Sequence, residues 1–184
     1  MLDPVISTIL SIGFGLMLLL AAVHKLSAHA HFRAILADYR VLPASLVAPV
    51  AFLLPLLEVA LGLAWLFSSL QAWIPTVALL MVYTLGIAIN LLRGRVHISC
   101  GCGFGKSTGS SDALHPGLVI RNAGLILAAV VAALPVSTRT VGALDYMTLV
   151  AALLVVILVF AAANQLVRNA AAINSWRQRA DRDD

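Results

Sequence analysis

Two cysteines stand one residue apart in Cys100-Gly101-Cys102-Gly103-Phe104-Gly105, and they are the only two in the chain. Thiols placed together in a glycine-rich loop can work as a redox pair or supply half of a metal site. A disulfide needs Cα atoms about 4.4–6.8 Å apart, which a Cys-X-Cys pair reaches only with a bent backbone. Gly101 permits that bend at little steric cost. A ring closed so tightly would be strained, and strained disulfides are the labile, oxidising ones. Arg95, Lys106 and Arg121 could supply the positive field that stabilises a thiolate. For metal binding the further ligands would be His97 and His115, but His-x2-Cys-x-Cys-x12-His is not a standard zinc spacing, and no metal site is assigned. Inert thiols are the third alternative.

The elements that must hold this loop are membrane helices. Of 184 residues, 61% are hydrophobic and only 11% charged, with mean hydropathy +1.00. A soluble domain of this size rarely has so few charges, so the composition predicts an all-α polytopic membrane bundle forming a single integral membrane domain over residues 1–184. Five apolar segments are long enough to span: Val5–Val23, Leu46–Phe67, Trp73–Leu92, Leu118–Leu134 and Asp145–Val167. The fourth is the shortest. The first has an acidic flank, Met1-Leu2-Asp3-Pro4, and reads as a retained helix, not a cleaved signal.

Charge placement predicts an orientation. Eleven of the twelve basic residues fall on one side of a five-span bundle, and Arg139 alone on the other. By the positive-inside rule this puts the N-terminus outside and the C-terminus in the cytoplasm. The basic balance therefore reflects topology. No basic face interleaved with aromatics suggests nucleic acid.

Between the spans lie three polar pieces: residues 24–45, expected along the interface; the cysteine loop, 93–117; and a tail, 168–184, whose end should fray. Within the spans, Glu58 follows Pro55 by less than a turn and is costly in hydrocarbon. It should face the bundle, as a proton carrier, as a partner of Arg121, or as a structural hydrogen-bonding group. Arg121 itself reads first as a snorkelling anchor and otherwise as a neighbour of the thiols or a quinone. His24 and Lys25 read as a helix end at the headgroups, and Trp65 and Trp73 as interfacial belt residues.

Several short motifs occur together in order: His24-Lys25-Leu26, Tyr39-Arg40-Val41-Leu42-Pro43, Leu57-Glu58 with Gly62, and Leu92-Arg93-Gly94-Arg95 leading into Cys100-Gly101-Cys102. Over residues 10–135 the chain resembles the methylamine-utilisation membrane protein MauE family, related to DoxX-like four-helix membrane proteins. Members usually read Cys-Gly-Cys-Phe-Gly, and here Gly103 intervenes. The resemblance implies a four-helix core plus a further helix. It implies a part in forming or isomerising the disulfides of the exported methylamine dehydrogenase small subunit, together with a thioredoxin-like partner. Cys100 and Cys102 would then be the reacting residues, with Glu58, Arg121, Lys25 and His24 supporting them.

With one thiol pair there is no internal relay. Electrons must pass to a partner protein or to a membrane quinone, for which no binding motif is legible. A scaffold that docks the partner without catalysis is the alternative function, and a small transporter or metal carrier using Glu58 is a third. The charge count also raises a conflict of sides, because it places the cysteine loop in the cytoplasm while the client is periplasmic. A re-entrant loop, alternating access, or a segment that does not cross would each resolve it.

Overall fold

The structure is a computed structural model that describes residues 1–67, 72–95, 114 and 116–183, with side chains described through 163 and at 165, 166 and 169. Among the described residues six helices follow in order: α1 (Pro4–Ser27), α2 (His29–Asp38), α3 (Ala44–Leu66), α4 (Trp73–Leu92), α5 (Pro116–Val131) and α6 (Ala143–Asp183). Four of them, α1, α3, α4 and α6 through Ala163, are long and apolar enough to cross a membrane. The protein is a helical, multi-pass membrane protein, as its composition predicts.

Helix α5 has 16 residues, about 24 Å of rise against roughly 30 Å of hydrocarbon. Tight turns continue it, with Ala133 N donating to Val130 O and Leu134 N to Val131 O, both at 3.1 Å. It runs antiparallel to α4 over that helix's depth. Leu118, near its start, clusters with Ile87, while Ala129 and Ala132 share a cluster with Ala72 and Leu79.

Helix α1 starts cleanly because Pro4 takes the first turn and the Asp3 carboxylate accepts from Val5 N at 2.9 Å. It packs antiparallel on α3, where the two backbones touch. A Cβ on Gly15 would lie 3.1 Å from Gly62 O and 2.7 Å from Leu66 Cγ, and one on Gly62 would lie 2.8 Å from Leu19 Cγ. Small residues at such a crossing let packing hold helices together in lipid, where no hydrophobic effect does so. Phe14 stacks on Trp65 at 4.9 Å between ring centroids, and Trp65 Nε1 donates to Thr76 Oγ1 at 2.9 Å. Trp65 is thus a buried core residue and not a belt residue, because its one polar atom finds a partner inside the bundle.

The two ends of the bundle differ in charge. At one end Leu2 pairs with Val136, through Leu2 N to Pro135 O and Ser137 N to Leu2 O, each 2.8 Å. Arg139 bonds both Asp145 (2.8 and 3.0 Å) and Asp3 (3.2 and 3.3 Å), so three charges close one clasp over the chain's start and the α5–α6 connection. At the other end Arg93 reaches Arg40 O at 3.4 Å, and Arg33 and Arg40 are exposed. The lone basic residue of the first end is therefore neutralised locally.

The Arg139 hydrogen bond, helped by Val5 N–H, holds the Asp3 carboxyl below its ordinary value of 3.8. A depressed carboxylate contributes stability that is complete above the unfolded value and is lost as pH falls through the folded one. The clasp should accordingly stay closed on mild acidification and open only below pH 3.8. Amide exchange at Leu2 and Ser137, corrected for intrinsic rates, will report it. Loss of protection already near neutral pH would contradict the clasp.

Helix boundaries depart from the sequence expectation in two places. α1 runs to Ser27 and does not end at Val23, so His24 and Lys25 lie in its last turn. α6 stays helical to Asp183, so the expected fraying of the tail is not observed. Its Ala170–Ala172 run and arginines are good helix formers, which is the local reason. α6 packs along α1, and the apolar window of its span has no buried residue.

Candidate functional site

A charged centre lies inside the bundle where α1, α3 and α4 meet. Glu58 is the fifteenth of 23 residues of α3, about 12 Å from that helix's end and so well within hydrocarbon. Lys25 comes from the last turn of α1. Side chains of a helix lean toward its N-terminus, so this lysine extends back into the bundle instead of out to the headgroups. Lys25 Nζ pairs with Glu58 Oε1 and also donates to Tyr83 OH at 3.0 Å. Tyr83 OH donates in turn to the same Glu58 oxygen at 2.6 Å. The ammonium stands 4.5 Å from the Tyr83 ring centroid and 5.3 Å from that of Phe32 on α2, within cation–π range.

Burial is nearly complete, at 3% exposure for Lys25 and 1% for Glu58. One positive and one negative charge with a phenol between them make a neutral unit, which is how ionisable groups are tolerated at this depth. One acceptor stays open. Glu58 Oε2 is buried without a hydrogen-bond partner among the described residues.

Above this centre toward the basic end lies Asn90, fully buried, with Nδ2 donating to Gly86 O at 3.0 Å and Oδ1 without a partner among the described residues. Asn122 on α5 is also buried, and Arg121 Nη2 reaches its Oδ1 at 3.5 Å.

Of the residues singled out from sequence, the structure brings Glu58 and Lys25 together. The expected headgroup position of Lys25 is corrected: it is a buried counter-ion, because its stem leans inward to meet the carboxylate. Glu58 does face the bundle, and the ion pair it makes is with Lys25 and not with Arg121. His24 is partly exposed beside Lys25. Cys100 and Cys102 lie outside the described residues, as do His97, Lys106 and His115. Tyr83 is the site residue that sequence reasoning missed. Thr76, Tyr83 and Asn90 recur every seven residues on α4, placing them on one helix face, and that spacing could have found it.

The fold and this buried centre define a multi-pass helical membrane protein with an intramembrane ion pair. The family model for methylamine utilisation protein MauE matches residues 3–135, and the chain belongs to that family. It is 34% identical to methylamine utilization protein MauE of Methylophilus methylotrophus over 168 residues, 90% of this chain and 87% of the relative. The protein of the same name from Methylorubrum extorquens is 36% identical over 129 residues, 69% of this chain and 68% of the relative. That from Paracoccus versutus is 32% identical over 167 residues, 89% and 88% respectively. No solved structure matches the chain.

Proposed function

We propose that this chain serves methylamine utilisation as an inner-membrane thiol–disulfide protein. It supports disulfide formation or isomerisation in the methylamine dehydrogenase small subunit, acting with a thioredoxin-like partner. The single observation that carries the chemistry is the Cys100-Gly101-Cys102 pair, within a family named for methylamine utilisation. The thiolate of one cysteine attacks a partner disulfide, forming a mixed disulfide and releasing one partner thiol. The second cysteine then displaces the remaining partner sulfur, so the pair ends oxidised and the partner reduced. Running the steps backwards oxidises the partner. Glu58, Lys25, Arg121 and His24 support the loop from the bundle, and a membrane quinone is one acceptor that could reoxidise the pair. Cys100→Ser coexpressed with the partner should trap a mixed disulfide through Cys102, seen as a reductant-sensitive adduct. Absence of any adduct from both single variants would favour the docking scaffold, the second reading, for which the span of α6, with no buried residue, speaks.

The orientation belongs to the same proposal. The basic end of the bundle is cytoplasmic, with the N-terminus in the periplasm. The clasp of Asp3, Arg139 and Asp145, whose two carboxylates outnumber its one guanidinium, stands opposite the arginine-bearing end and supports it. α5 running the depth of α4 supports five crossings. The conflict of sides is then met by a re-entrant or alternately accessible cysteine loop. A phosphatase active only in the periplasm, fused after Asp184, should stay inactive, and high activity there would reverse the orientation.

A further inference from the structure

We propose that Arg40 and Arg93, with Arg33 beside them, form a seat for the headgroup of an anionic phospholipid at the basic end of the bundle. The first observation concerns the backbone. Arg40 has φ +46°, the one positive value outside glycine among the described residues. It follows Tyr39, the C-cap of α2, at the position where helices commonly end on glycine. Arg40 N donates to Ala37 O at 3.1 Å, so this conformation closes α2 and turns the chain toward Pro43 and α3. A side chain there costs free energy that glycine would avoid. An arginine held against that cost points to a use for its guanidinium.

The second observation is one of charge. Arg93, the C-cap of α4, donates from Nη1 to Arg40 O at 3.4 Å. Two arginines 53 positions apart are thereby drawn together, with a neutral carbonyl between them. Arg33 stands seven positions before Arg40 and is exposed, while Phe32 and Ile35 of the same helix are buried. Arg33, Arg40 and Arg93 are all exposed, and among the described residues none has a carboxylate within salt-bridge distance. Asp38, at the end of α2, is the one described acid on this rim, and it is outnumbered three to one. The positive field of the rim is left for an anion from outside the chain.

Apolar ground beside the charge selects a lipid over a free anion. Val41 follows Arg40 and is 44% exposed, and Leu92 precedes Arg93 and is 89% exposed. Leu46, in the first turn of α3, is 47% exposed. Such surfaces belong among acyl chains, and the guanidinium groups next to them belong at the headgroups. A molecule with a phosphate at one end and hydrocarbon at the other satisfies both. The planar guanidinium fork meets phosphate oxygens two at a time, as an ammonium does not. One lipid seated there ties the turn between α2 and α3 to the end of α4.

Native mass spectrometry of the full chain in detergent tests this, with thermal unfolding read alongside. The probes are phosphatidylglycerol, phosphatidylcholine with the same acyl chains, and glycerol phosphate. Phosphatidylglycerol should bind in preference to phosphatidylcholine and raise the unfolding temperature, and glycerol phosphate should do neither. Equal binding of the two lipids, or the same stabilisation from glycerol phosphate, overturns the proposal. Arg40→Gly is the decisive variant. It should hold its fold, because glycine suits that backbone, yet its preference for phosphatidylglycerol should fall about fivefold, the worth of one arginine at an anionic surface. Arg93→Gln should lose as much, and the two changes together most of the preference. Arg139→Gln, at the far end, should leave the preference unchanged. An undiminished preference in Arg40→Gly, or an equal fall in Arg139→Gln, would mean that lipids respond to overall charge and not to this rim.

Discussion

Lys25→Met should destabilise the bundle severely, while Lys25→Met combined with Glu58→Leu should recover most of the loss. The two charges are 3% and 1% exposed, so neither solvent nor salt can replace a missing partner. Breaking a buried ion pair from one side costs about 3–5 kcal/mol, whereas replacing both partners with apolar groups of similar volume is often neutral or better. Against total stabilities of roughly 5–15 kcal/mol, the single change is enough to deplete folded protein. Thermal unfolding in detergent, with membrane abundance beside it, reads the effect. Glu58→Gln should fall between the two, because an amide keeps a hydrogen-bond acceptor for Lys25 and Tyr83 but removes the counter-charge. Equal stability of wild type and Lys25→Met would mean that the ammonium is hydrated and the packing described here is wrong. Rescue in stability without rescue of client maturation would separate an architectural pair from one that also works in the reaction.

Cys100→Ser, Cys102→Ser and the double change should each abolish correct disulfide pairing of the client to the same degree. A redox pair works as a unit, so losing one thiol costs as much as losing both, whereas packing contributions would be small and roughly additive. Serine keeps size and polarity and removes the nucleophile. The yield of correctly bonded methylamine dehydrogenase small subunit in cells is the measurement, normalised to membrane protein abundance. Wild-type yield from the double variant would end the thiol mechanism and leave the scaffold.

Much of the architecture was legible in the chain because hydropathy acts locally. Residues 73–92 form a helix where twenty apolar-rich residues stand in a row, and Arg93-Gly94-Arg95 marks its stop. Glu58 was conspicuous for a similar reason: one carboxylate in an uncharged span must face inward. What it faces was not legible. Lys25 is 33 positions away and Tyr83 is 25 away, so the pairing depends on which helices cross and at what height. That height is set by the Gly15–Gly62 contact, a pair of small residues that look unremarkable singly. A lysine in a last turn leans back along its own helix, yet its long stem can still snorkel to the headgroups, and the neighbouring carboxylate holds it inside. Trp65 was misplaced by the same blindness, since a tryptophan near a span's end suits the interface unless a hydroxyl waits within the bundle. The thiols are the reverse case: conspicuous in sequence, and outside the described residues of the structure.

The separation of Lys25 from Glu58 also carries a consequence for biogenesis. α1 is synthesised and inserted before α3 exists, so for that interval its lysine has no counter-ion. Two residues from the helix end, it can wait with its ammonium among the lipid headgroups. Glu58 has no such refuge, being deep in its own helix. The third helix to be made therefore enters the bilayer against a cost that the first is already placed to offset. Insertion of α3 in the absence of α1 should be inefficient, and α1 supplied as a separate chain should restore it. That rescue would make the ion pair a link in the order of assembly, tying the insertion of α3 to the presence of α1.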